Sequence, residues 1–350
     1  MYIHIDMDYF FAQLEEQRHP MVREKIVVVC VYSGRTKDSG VVSTVNYPGR
    51  AVGIHSGMPI MMAKKRAPPA DSLFLPVDRE YYAQASMQLD RIVRTVCDRV
   101  VQASIDEWNI EVTDEQGAQK AQELKDAILK ETGLRCTLGV APSLLGAKMA
   151  AAKAKPNGLL LLIASDERKM IDDSDMEKVP GIGPKTAMAL KQLGGEKVKD
   201  LAKIDPITLS ETFGRKAGAW LHALGQGEYA SSLGEEKEQE EVSRIGTLKE
   251  KTRDPYIILK KLEELEGDAR EWLLETKKAY KTLSIIFITD DLKAHTKSMS
   301  FRNPKTAHEE IAKEKETLVK EFLAENPFEV RRIGIRFGNF MDLGGQTTLF

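Results

Sequence analysis

Acidic residues stand at two points where predicted strands end. Ile5-Asp6-Met7-Asp8 closes the first strand, and Ser104-Ile105-Asp106-Glu107 forms a tight turn between two later strands. Mg²⁺ prefers oxygen ligands in octahedral geometry and associates with phosphates. Two such ions about 3.5–4 Å apart can clamp the attacking and leaving oxygens of an in-line phosphoryl displacement. Asp6, Asp106 and Glu107 therefore predict a site for two Mg²⁺ ions, with the Met7 carbonyl as a further ligand.

Either acidic motif alone has a simpler interpretation. Asp-x-Asp is common at strand ends, and Asp106-Glu107 could be a polar turn. We interpret Asp8 as the N-cap of the helix that follows it, because Asp is among the preferred capping residues.

Groups that could bind phosphate lie near the first acidic motif and in two other segments. Backbone N–H groups at the helix start, at Tyr9, Phe10 and Phe11, form an anion site suited to a triphosphate. Further hydroxyl and basic groups are Thr44, Tyr47, Arg50 and Lys155. The alternatives are surface charge for Arg50 and Lys155, and core packing for the two phenylalanines.

Two later segments are typical of sequence-independent DNA binding. Residues 179–187, Val-Pro-Gly-Ile-Gly-Pro-Lys-Thr-Ala, predict a helix-hairpin-helix in which Gly181, Gly183 and Lys185 meet a phosphate. Residues 213–218 resemble a second, degenerate copy. The alternative for both segments is an ordinary interhelical turn.

Alternation near the C-terminus predicts a sheet with one basic, open face. Ile333, Ile335 and Phe337 would face helices, as would Met299 and Phe301. The residues proposed for DNA binding are Ser298, Ser300, Arg302, Arg331, Arg332 and Arg336. Gly334 would leave room for close approach of a duplex, and the alternative is a plain solvated face. At the end of the chain, Gln346, Leu349 and Phe350 resemble a short peptide that binds a sliding clamp.

These residues must be positioned by several domains, because 350 residues exceed one compact core. The predicted strands are 2–6, 27–32, 41–47, 99–103, 108–113, 134–140, 158–163, 242–250, 281–289, 295–302 and 328–338. The predicted helices are 9–18, 79–98, 115–130, 143–154, 255–276 and 306–324, together with an all-helical region at 164–229. The β-α-β-β-α-β order from 242 onward predicts a small sheet with both helices on one face.

Composition excludes some classes of protein. No apolar run reaches 18 residues, so we expect no membrane span, and the N-terminus reads as a strand, which predicts a cytoplasmic protein. Cys30, Cys97 and Cys136 lie in apolar segments and have no metal-ligand spacing. The net charge of −2 is unusual for a DNA-binding protein, but the acidic run at 235–241 accounts for much negative charge. We interpret that run as part of a solvated linker.

The combined pattern resembles the Y-family of translesion DNA polymerases, in the archaeal form of the DinB or DNA polymerase IV branch. The segments that carry this resemblance are Asp6-Met-Asp-Tyr-Phe-Phe11-Ala, Ser-Ile-Asp106-Glu107, Tyr47-x-x-Arg50 and Ala-Lys155-Pro-Asn-Gly. The resemblance covers nearly the whole chain. It implies low-fidelity, low-processivity, template-directed addition of deoxynucleotides to a primer, including past damaged bases.

The resemblance also implies a multidomain α/β and α+β architecture shaped like a right hand. Its parts would be a palm (1–18 and 76–163), fingers (19–75), a helical thumb with the helix-hairpin-helix (164–229), a linker (230–241), a β-α-β-β-α-β little finger (242–341) and a clamp-binding tail (342–350). The implied partners are primer-template DNA, deoxynucleoside triphosphates and a sliding clamp, with a monomeric enzyme.

By the same resemblance, individual residues take roles. Asp6, Asp106 and Glu107 would ligate the two Mg²⁺ ions, and Phe11 would be a steric gate that excludes the ribose 2′-hydroxyl. Tyr47, Arg50 and Lys155 would hold the triphosphate. Val31, Val41 and Ser43 would lie against the nascent base pair in a loose pocket.

Two departures from the family pattern stand close to these residues. After the second acidic motif the family usually has a small residue, then Tyr, and Asp shortly afterwards. This chain has Trp108, Asn109 and Glu111 at those positions. Between Tyr47 and Arg50 this chain has Pro48-Gly49, where larger residues are more common in the family.

Other functions also fit part of the sequence. A nucleotide cyclase holds no duplex, so the helix-hairpin-helix argues against it. A primase would accept ribonucleotides, which Phe11 would exclude. A DNA-binding scaffold without catalysis would be expected to have lost a carboxylate, and all three are present.

Overall fold

In the computed structural model of the chain, the described residues are 1–22, 24–229, 232–234 and 239–343. Packing divides the chain into two units. The first comprises the described residues of Met1–Cys30, Val42–Gly57 and Lys64–Glu236. The second comprises Val31–Val41, Met58–Ala63 and the described residues of Lys237–Phe350. Among the described residues, no helix combines the length and hydrophobicity that a membrane span requires.

Strands and helices alternate through most of the chain. The strands are β1 (Tyr2–Met7), β2 (Ile26–Tyr32), β3 (Gly40–Val45), β4 (Ser72–Pro76), β5 (Val100–Gln102), β6 (Glu107–Glu111), β7 (Cys136–Ala141), β8 (Leu159–Leu161), β9 (Glu241–Thr252), β10 (Lys278–Thr289), β11 (Ala294–Lys305) and β12 (Val330–Asp342). The α-helices are α1 (Phe10–Arg18), α2 (Tyr47–Ala51), α3 (Ile60–Arg66), α4 (Arg79–Val96), α5 (Gly117–Thr132), α6 (Leu144–Ala154), α7 (Ala164–Asp172), α8 (Pro184–Gln192), α9 (Pro206–Phe213), α10 (Arg215–Gln226), α11 (Pro255–Thr276) and α12 (Ala312–Glu325).

Three sheets organise these elements. A five-stranded sheet has the order β5-β6-β1-β7-β8, and a three-stranded sheet has the order β3-β2-β4. The four-stranded sheet of the second unit has the order β11-β10-β12-β9, with every neighbouring pair antiparallel. Helices α11 and α12 share one core with this sheet, in which the rings of Phe287 and Phe322 stack with centroids 3.9 Å apart. The predicted β-α-β-β-α-β arrangement, with both helices on one face, is confirmed.

Apolar side chains at alternate positions explain why β1 lies at the centre of the five-stranded sheet. Ile3 and Ile5 are fully buried on one face, where they pack with Trp108 and Ile110 of β6. The other face of β1 carries His4 and Asp6, since side chains alternate along a strand. The three cysteines are buried free thiols, as predicted.

Several predicted boundaries are wrong for local reasons. Tyr47 begins a helix and does not end a strand, because the Asn46 side chain caps the Gly49 N–H and Pro48 occupies the first turn. The last helix begins at Ala312, since the chain turns first and the Thr306 N–H donates to Glu309. Helix α3 and strand β4 were not predicted. The predicted linker, 230–241, extends one residue too far, because Glu241 is already part of β9.

Candidate active site

Strand register brings the two acidic motifs together. In the antiparallel pair β1–β6, Asp6 lies directly opposite Glu107. The Met7 N–H donates to the Asp106 carbonyl at 3.0 Å, which ties the end of β1 to the turn before β6. The two strand ends therefore lie side by side, as a site built from both acidic motifs requires.

A third side chain joins the pair of carboxylates. Ligand atoms of His4, Asp6 and Glu107 all lie within 4.8 Å of one another. The carboxylate of Asp106 is turned toward the Ser104 hydroxyl, which donates to it at 2.6 Å, so Asp106 is not part of this group. Sequence reasoning missed His4, although its position two residues before Asp6 places both side chains on one face of the strand.

Two lysines form ion pairs with these carboxylates. Lys155 Nζ lies 2.6 Å from Asp6 Oδ1, and Lys148 Nζ lies 2.7 Å from Glu107 Oε2. Lys155, predicted as a triphosphate ligand, is therefore paired with a predicted metal ligand. Lys148 was not predicted, because a lysine within a helix gives no sequence signal that separates it from ordinary surface charge.

Burial shifts the pKa values of the ionisable side chains in this cluster. It raises the pKa of Asp6 to about 6, against the opposing effect of the Lys155 ammonium, and the Glu107 and Asp106 carboxylates add to the rise. Burial also lowers the pKa of His4. Carboxylates that repel one another at a partly buried site are stabilised by a bound cation, and carboxylate oxygens are the ligands that Mg²⁺ prefers. The donor set thus fits a divalent cation.

Asp8 does not cap the helix, which corrects the sequence-based interpretation. Its buried carboxylate accepts from Thr137 Oγ1 at 2.8 Å and from the Asn157 N–H at 2.7 Å. The residue at the cap position of α1 is Tyr9, in a left-handed conformation with φ 39° and no side-chain cap. Asp8 instead joins β1 to β7 and to the loop that carries Lys155.

The two phenylalanines of α1 have different environments. Phe10 is 2% exposed in the core, so only its backbone can meet a ligand. Phe11 is half-buried, and its ring stacks on that of Tyr82 with centroids 4.3 Å apart. The Tyr82 hydroxyl donates to Glu15 at 2.7 Å, which fixes the ring beneath Phe11.

Tyr47 and Arg50 lie together on the short helix α2. The Tyr47 ring meets the Tyr9 ring edge-on at 5.1 Å, and the Arg50 guanidinium lies 5.1 Å from the centre of the Tyr47 ring. Arg50 Nε donates to the Val45 carbonyl, and the buried Tyr47 hydroxyl has no hydrogen-bond partner among the described residues. Burial raises the pKa of Tyr47 to about 12, with a smaller contribution from Asp8.

The remaining predicted nucleotide contacts lie on β2 and β3. Val31 and Val41 are exposed, at 41% and 43%, while Ser43 and Thr44 are half-buried. Val41 and Ser43 share one side of β3 because they are two residues apart.

Both predicted hairpins of the helical region place a glycine at the start of a helix. Gly181 has φ +94°, and the Trp220 ring lies 3.2 Å from where its Cβ would stand. Space beside Gly183 is open, and Lys185 is exposed. Gly183 and Gly214 occupy the cap positions of α8 and α10, neither with a side-chain cap, so the degenerate second copy is also a glycine-started helix.

The open face of the C-terminal sheet is less uniformly basic than predicted. Ser298, Ser300, Arg302 and Arg332 are exposed, and Arg331 is half-buried. Arg336, however, pairs with Glu241 at 3.1 Å. A Cβ on Gly334 would stand 2.6 Å from Ile245 Cγ1, so this glycine accommodates the neighbouring strand and the argument that it admits DNA is wrong. Gln346, Leu349 and Phe350 lie outside the described residues.

Family models match three parts of the chain. Residues 5–152 match the impB/mucB/samB family, and residues 239–349 match the C-terminal domain of that family. Residues 177–228 match a model described as the thumb domain of DNA polymerase-iota.

Relatives and solved structures match the chain over nearly its whole length. A DNA polymerase IV of Methanosarcina acetivorans is 37% identical over 99% of this chain and 98% of its own. One of Saccharolobus solfataricus is 32% identical over the same shares, 99% and 98%. A Y-family DNA polymerase chimera of Dbh and Dpo4 aligns with a TM-score of 0.91 at 32% identity, over 97% of this chain and 99% of that one. An insertion ternary complex of Dbh DNA polymerase aligns over the same shares, 97% and 99%, with a TM-score of 0.68 at 31% identity.

Proposed function

The chain belongs to the Y-family of DNA polymerases, in the DNA polymerase IV group, and we propose that Asp6, Asp106 and Glu107 are the carboxylates through which it extends a primer. It is a DNA-directed DNA polymerase of translesion synthesis. The observation that carries the proposal is the register of β1 and β6, which sets Asp6 against Glu107 at a half-buried strand end.

The three carboxylates and the Met7 carbonyl would hold two Mg²⁺ ions. Bound Mg²⁺ would neutralise the triphosphate and lower the pKa of the primer 3′-hydroxyl, so that no side chain is needed as a general base. Asp106, whose carboxylate accepts from the Ser104 hydroxyl, would have to turn away from Ser104 to join this site. Asp6 and Glu107, which pair with Lys155 and Lys148, would hold the ions through their carboxylate oxygens, and the two ammonium groups would then be free for other anions.

The incoming deoxynucleotide is held by groups around the start of α1. Backbone N–H groups of Tyr9, Phe10 and Phe11 face the triphosphate, since the first N–H groups of a helix have no intrahelical partner. Arg50 supplies a guanidinium fork and Tyr47 a hydroxyl, with Thr44 beside them. Lys155, once free of Asp6, donates to the same phosphates.

Selection of the sugar and tolerance of the base have separate causes. The Phe11 ring, supported from below by Tyr82, fills the space that a 2′-hydroxyl would need. Val31, Val41 and Ser43 are small residues against the nascent base pair, so a distorted or damaged pair meets little steric opposition. This predicts low fidelity and synthesis past lesions.

Contacts to the DNA are spread along the chain and read no sequence. The hairpin at Gly181, Gly183 and Lys185 binds a backbone phosphate, and exposed groups of the C-terminal sheet track another stretch of the duplex. In this assignment residues 1–18 and 76–163 are the palm, 19–75 the fingers and 164–229 the thumb. The little finger begins with β9 at Glu241 and extends to 341, and residues 230–240 are the linker. The tail 342–350 binds a sliding clamp through Gln346, Leu349 and Phe350, and the free enzyme is a monomer of low processivity.

Primer extension tests the proposal directly. The enzyme is given Mg²⁺ and a primed template, undamaged or with one abasic site, and either deoxynucleotides or ribonucleotides. We expect extension with deoxynucleotides only, continuing at or past the abasic site. Bound DNA without extension under any of these conditions would contradict the proposed function.

A further inference from the structure

The ammonium group of a lysine on α5 binds the turn that follows Lys155. Lys125 Nζ donates to the Cys136 carbonyl at 2.9 Å and to the carbonyl and side-chain oxygens of Asn157, both at 2.8 Å. The Gly158 carbonyl lies 3.4 Å from the same nitrogen. Most lysines extend their charge into solvent, and an ammonium group has three N–H donors. Lys125 instead directs its donors at neutral oxygens of β7 and of this turn.

Two further contacts fix the same turn. The buried carboxylate of Asp8 accepts from the Asn157 N–H at 2.7 Å. A Cβ on Gly158 would stand 2.1 Å from the carbonyl oxygen of Ala154, the last residue of α6, so only glycine allows the chain to pass so close. Asn157 has φ 50°, a region that residues other than glycine seldom occupy. Such a residue keeps this conformation only when its surroundings hold it, and here its N–H, carbonyl and side chain are all bonded.

The turn determines where the side chain of Lys155 can reach. Lys155 is the cap residue at the end of α6 and stands two positions before Asn157. Its Nζ lies 2.6 Å from Asp6 Oδ1, at the end of β1. Asp8, which binds the turn, directly precedes the start of α1. The turn is therefore joined both to α5 and to the segment whose N–H groups face the triphosphate in the proposed function.

We infer that Lys125 is a positioning residue for the incoming deoxynucleoside triphosphate. By holding the turn, it sets the Lys155 ammonium where the phosphates bind, and it acts through Lys155 without touching the nucleotide. The inference rests on the proposed function, because Lys155 is assigned to the triphosphate there. The phosphates carry their negative charge before the reaction begins, so Lys125 contributes to nucleotide binding more than to the chemical step.

Single-nucleotide incorporation by the full chain, with Mg²⁺ and a primed template, tests the inference. Lys125→Met keeps much of the side-chain length and removes all three donors. We expect KM for the deoxynucleotide to rise by about ten- to a hundred-fold, with kcat nearly unchanged. Lys120→Met is the matched control, because Lys120 also lies on α5 and donates to a carbonyl, that of Val96, at 3.1 Å. Its KM should equal that of the unchanged protein.

A double variant shows whether Lys125 acts through Lys155. Lys155→Met should itself raise KM, and adding Lys125→Met to it should raise KM no further, because two residues that act through one contact are not additive. If Lys125→Met does not fold, as judged by circular dichroism, Lys125→Gln is measured in the same way. Its shorter, neutral amide should give a smaller rise in KM.

The outcomes separate this inference from the proposed function. An unchanged KM in the Lys125 variant, a fall in kcat alone, or a further rise in KM in the double variant would overturn the inference. If Lys155→Met raised KM in the same experiment, the assignment of Lys155 to the triphosphate would stand. An unchanged KM in Lys155→Met would remove Lys155 from the triphosphate site and overturn the inference with it. Only a lack of extension by the unchanged protein would contradict the polymerase function.

Discussion

The ring of Phe11 stacks on the ring of Tyr82, with centroids 4.3 Å apart and an angle of 14° between their planes. Tyr82 is fully buried and bonded through its hydroxyl to Glu15, so it forms a rigid base for a half-buried aromatic ring. A steric gate can exclude one oxygen atom only if the ring cannot move away. The stacking supplies that rigidity.

Replacing Phe11 should therefore admit ribonucleotides. Phe11→Ala removes the ring from the space of the 2′-hydroxyl, and we expect discrimination against ribonucleotides to fall by about 100-fold. The ratio of kcat/KM for a deoxynucleotide and its ribonucleotide measures the effect. Tyr82→Phe is the matched control, because it keeps the stacked ring and loses only the bond to Glu15. Unchanged sugar selection in Phe11→Ala would remove Phe11 from the gate.

Replacing Asp106 should stop nucleotide addition without loss of DNA binding. A lost metal ligand removes several kcal/mol of charge stabilisation, so kcat for Asp106→Ala should fall by at least about a thousand-fold. Single-nucleotide incorporation measures the rate, and fluorescence anisotropy measures DNA binding. Asp114→Ala serves as the control, because Asp114 is an exposed acid whose ion pair, among the described residues, is with the N-terminal ammonium. Full activity in Asp106→Ala would show that the metal assignment is wrong.

Replacing Thr137 tests the position of Asp8. Thr137→Val removes the hydroxyl that donates to Asp8 Oδ1 at 2.8 Å, and a buried carboxylate that loses a donor costs about 1–3 kcal/mol. The free energy of unfolding in urea should fall by that amount. An Asp8 that capped α1 would not depend on Thr137, so an unchanged stability would contradict the structural placement.

Enlarging Gly334 should destabilise the second unit for a steric reason. Gly334→Ala places a methyl group 2.6 Å from Ile245 Cγ1 and 3.0 Å from the Arg244 carbonyl oxygen, and overpacking of this kind costs about 1–3 kcal/mol. Thermal unfolding measures the loss, and the double variant with Ile245→Ala should recover part of it. Gly267→Ala is the control, since its Cβ meets nothing within 4 Å in a helix and should stabilise the protein by about 1 kcal/mol.

Removing residues 346–350 tests the clamp-binding tail. Distributive primer extension should be unchanged, because every residue assigned to the active site precedes the tail in the chain. Stimulation by a sliding clamp should disappear, and the length distribution of products in the presence of a clamp measures it. Stimulation that persists in the shortened chain would assign the tail no role in clamp binding.

Periodicity in the sequence was sufficient to predict most elements and the faces of the strands. Alternation in β12 correctly placed Ile333, Ile335 and Phe337 in the core, where all three are fully buried. The position of Asp6 at the end of a strand and of Glu107 after a turn predicted convergence, and the register confirms it. Such predictions succeed because the side-chain period of a strand is a local property.

Only the tertiary structure decided which side chain meets which. Asp8 reads as a helix cap by local rules, but its donor Thr137 lies 129 residues away in sequence. Gly334 was expected to leave room for a DNA duplex, but Ile245 of the neighbouring strand occupies the space beside it. His4 and Lys148 joined the carboxylate cluster without any signal in their own segments, apart from the spacing of His4 from Asp6. Strand register and helix packing bring these residues together through long-range contacts, whereas local sequence specifies only the face on which each side chain lies.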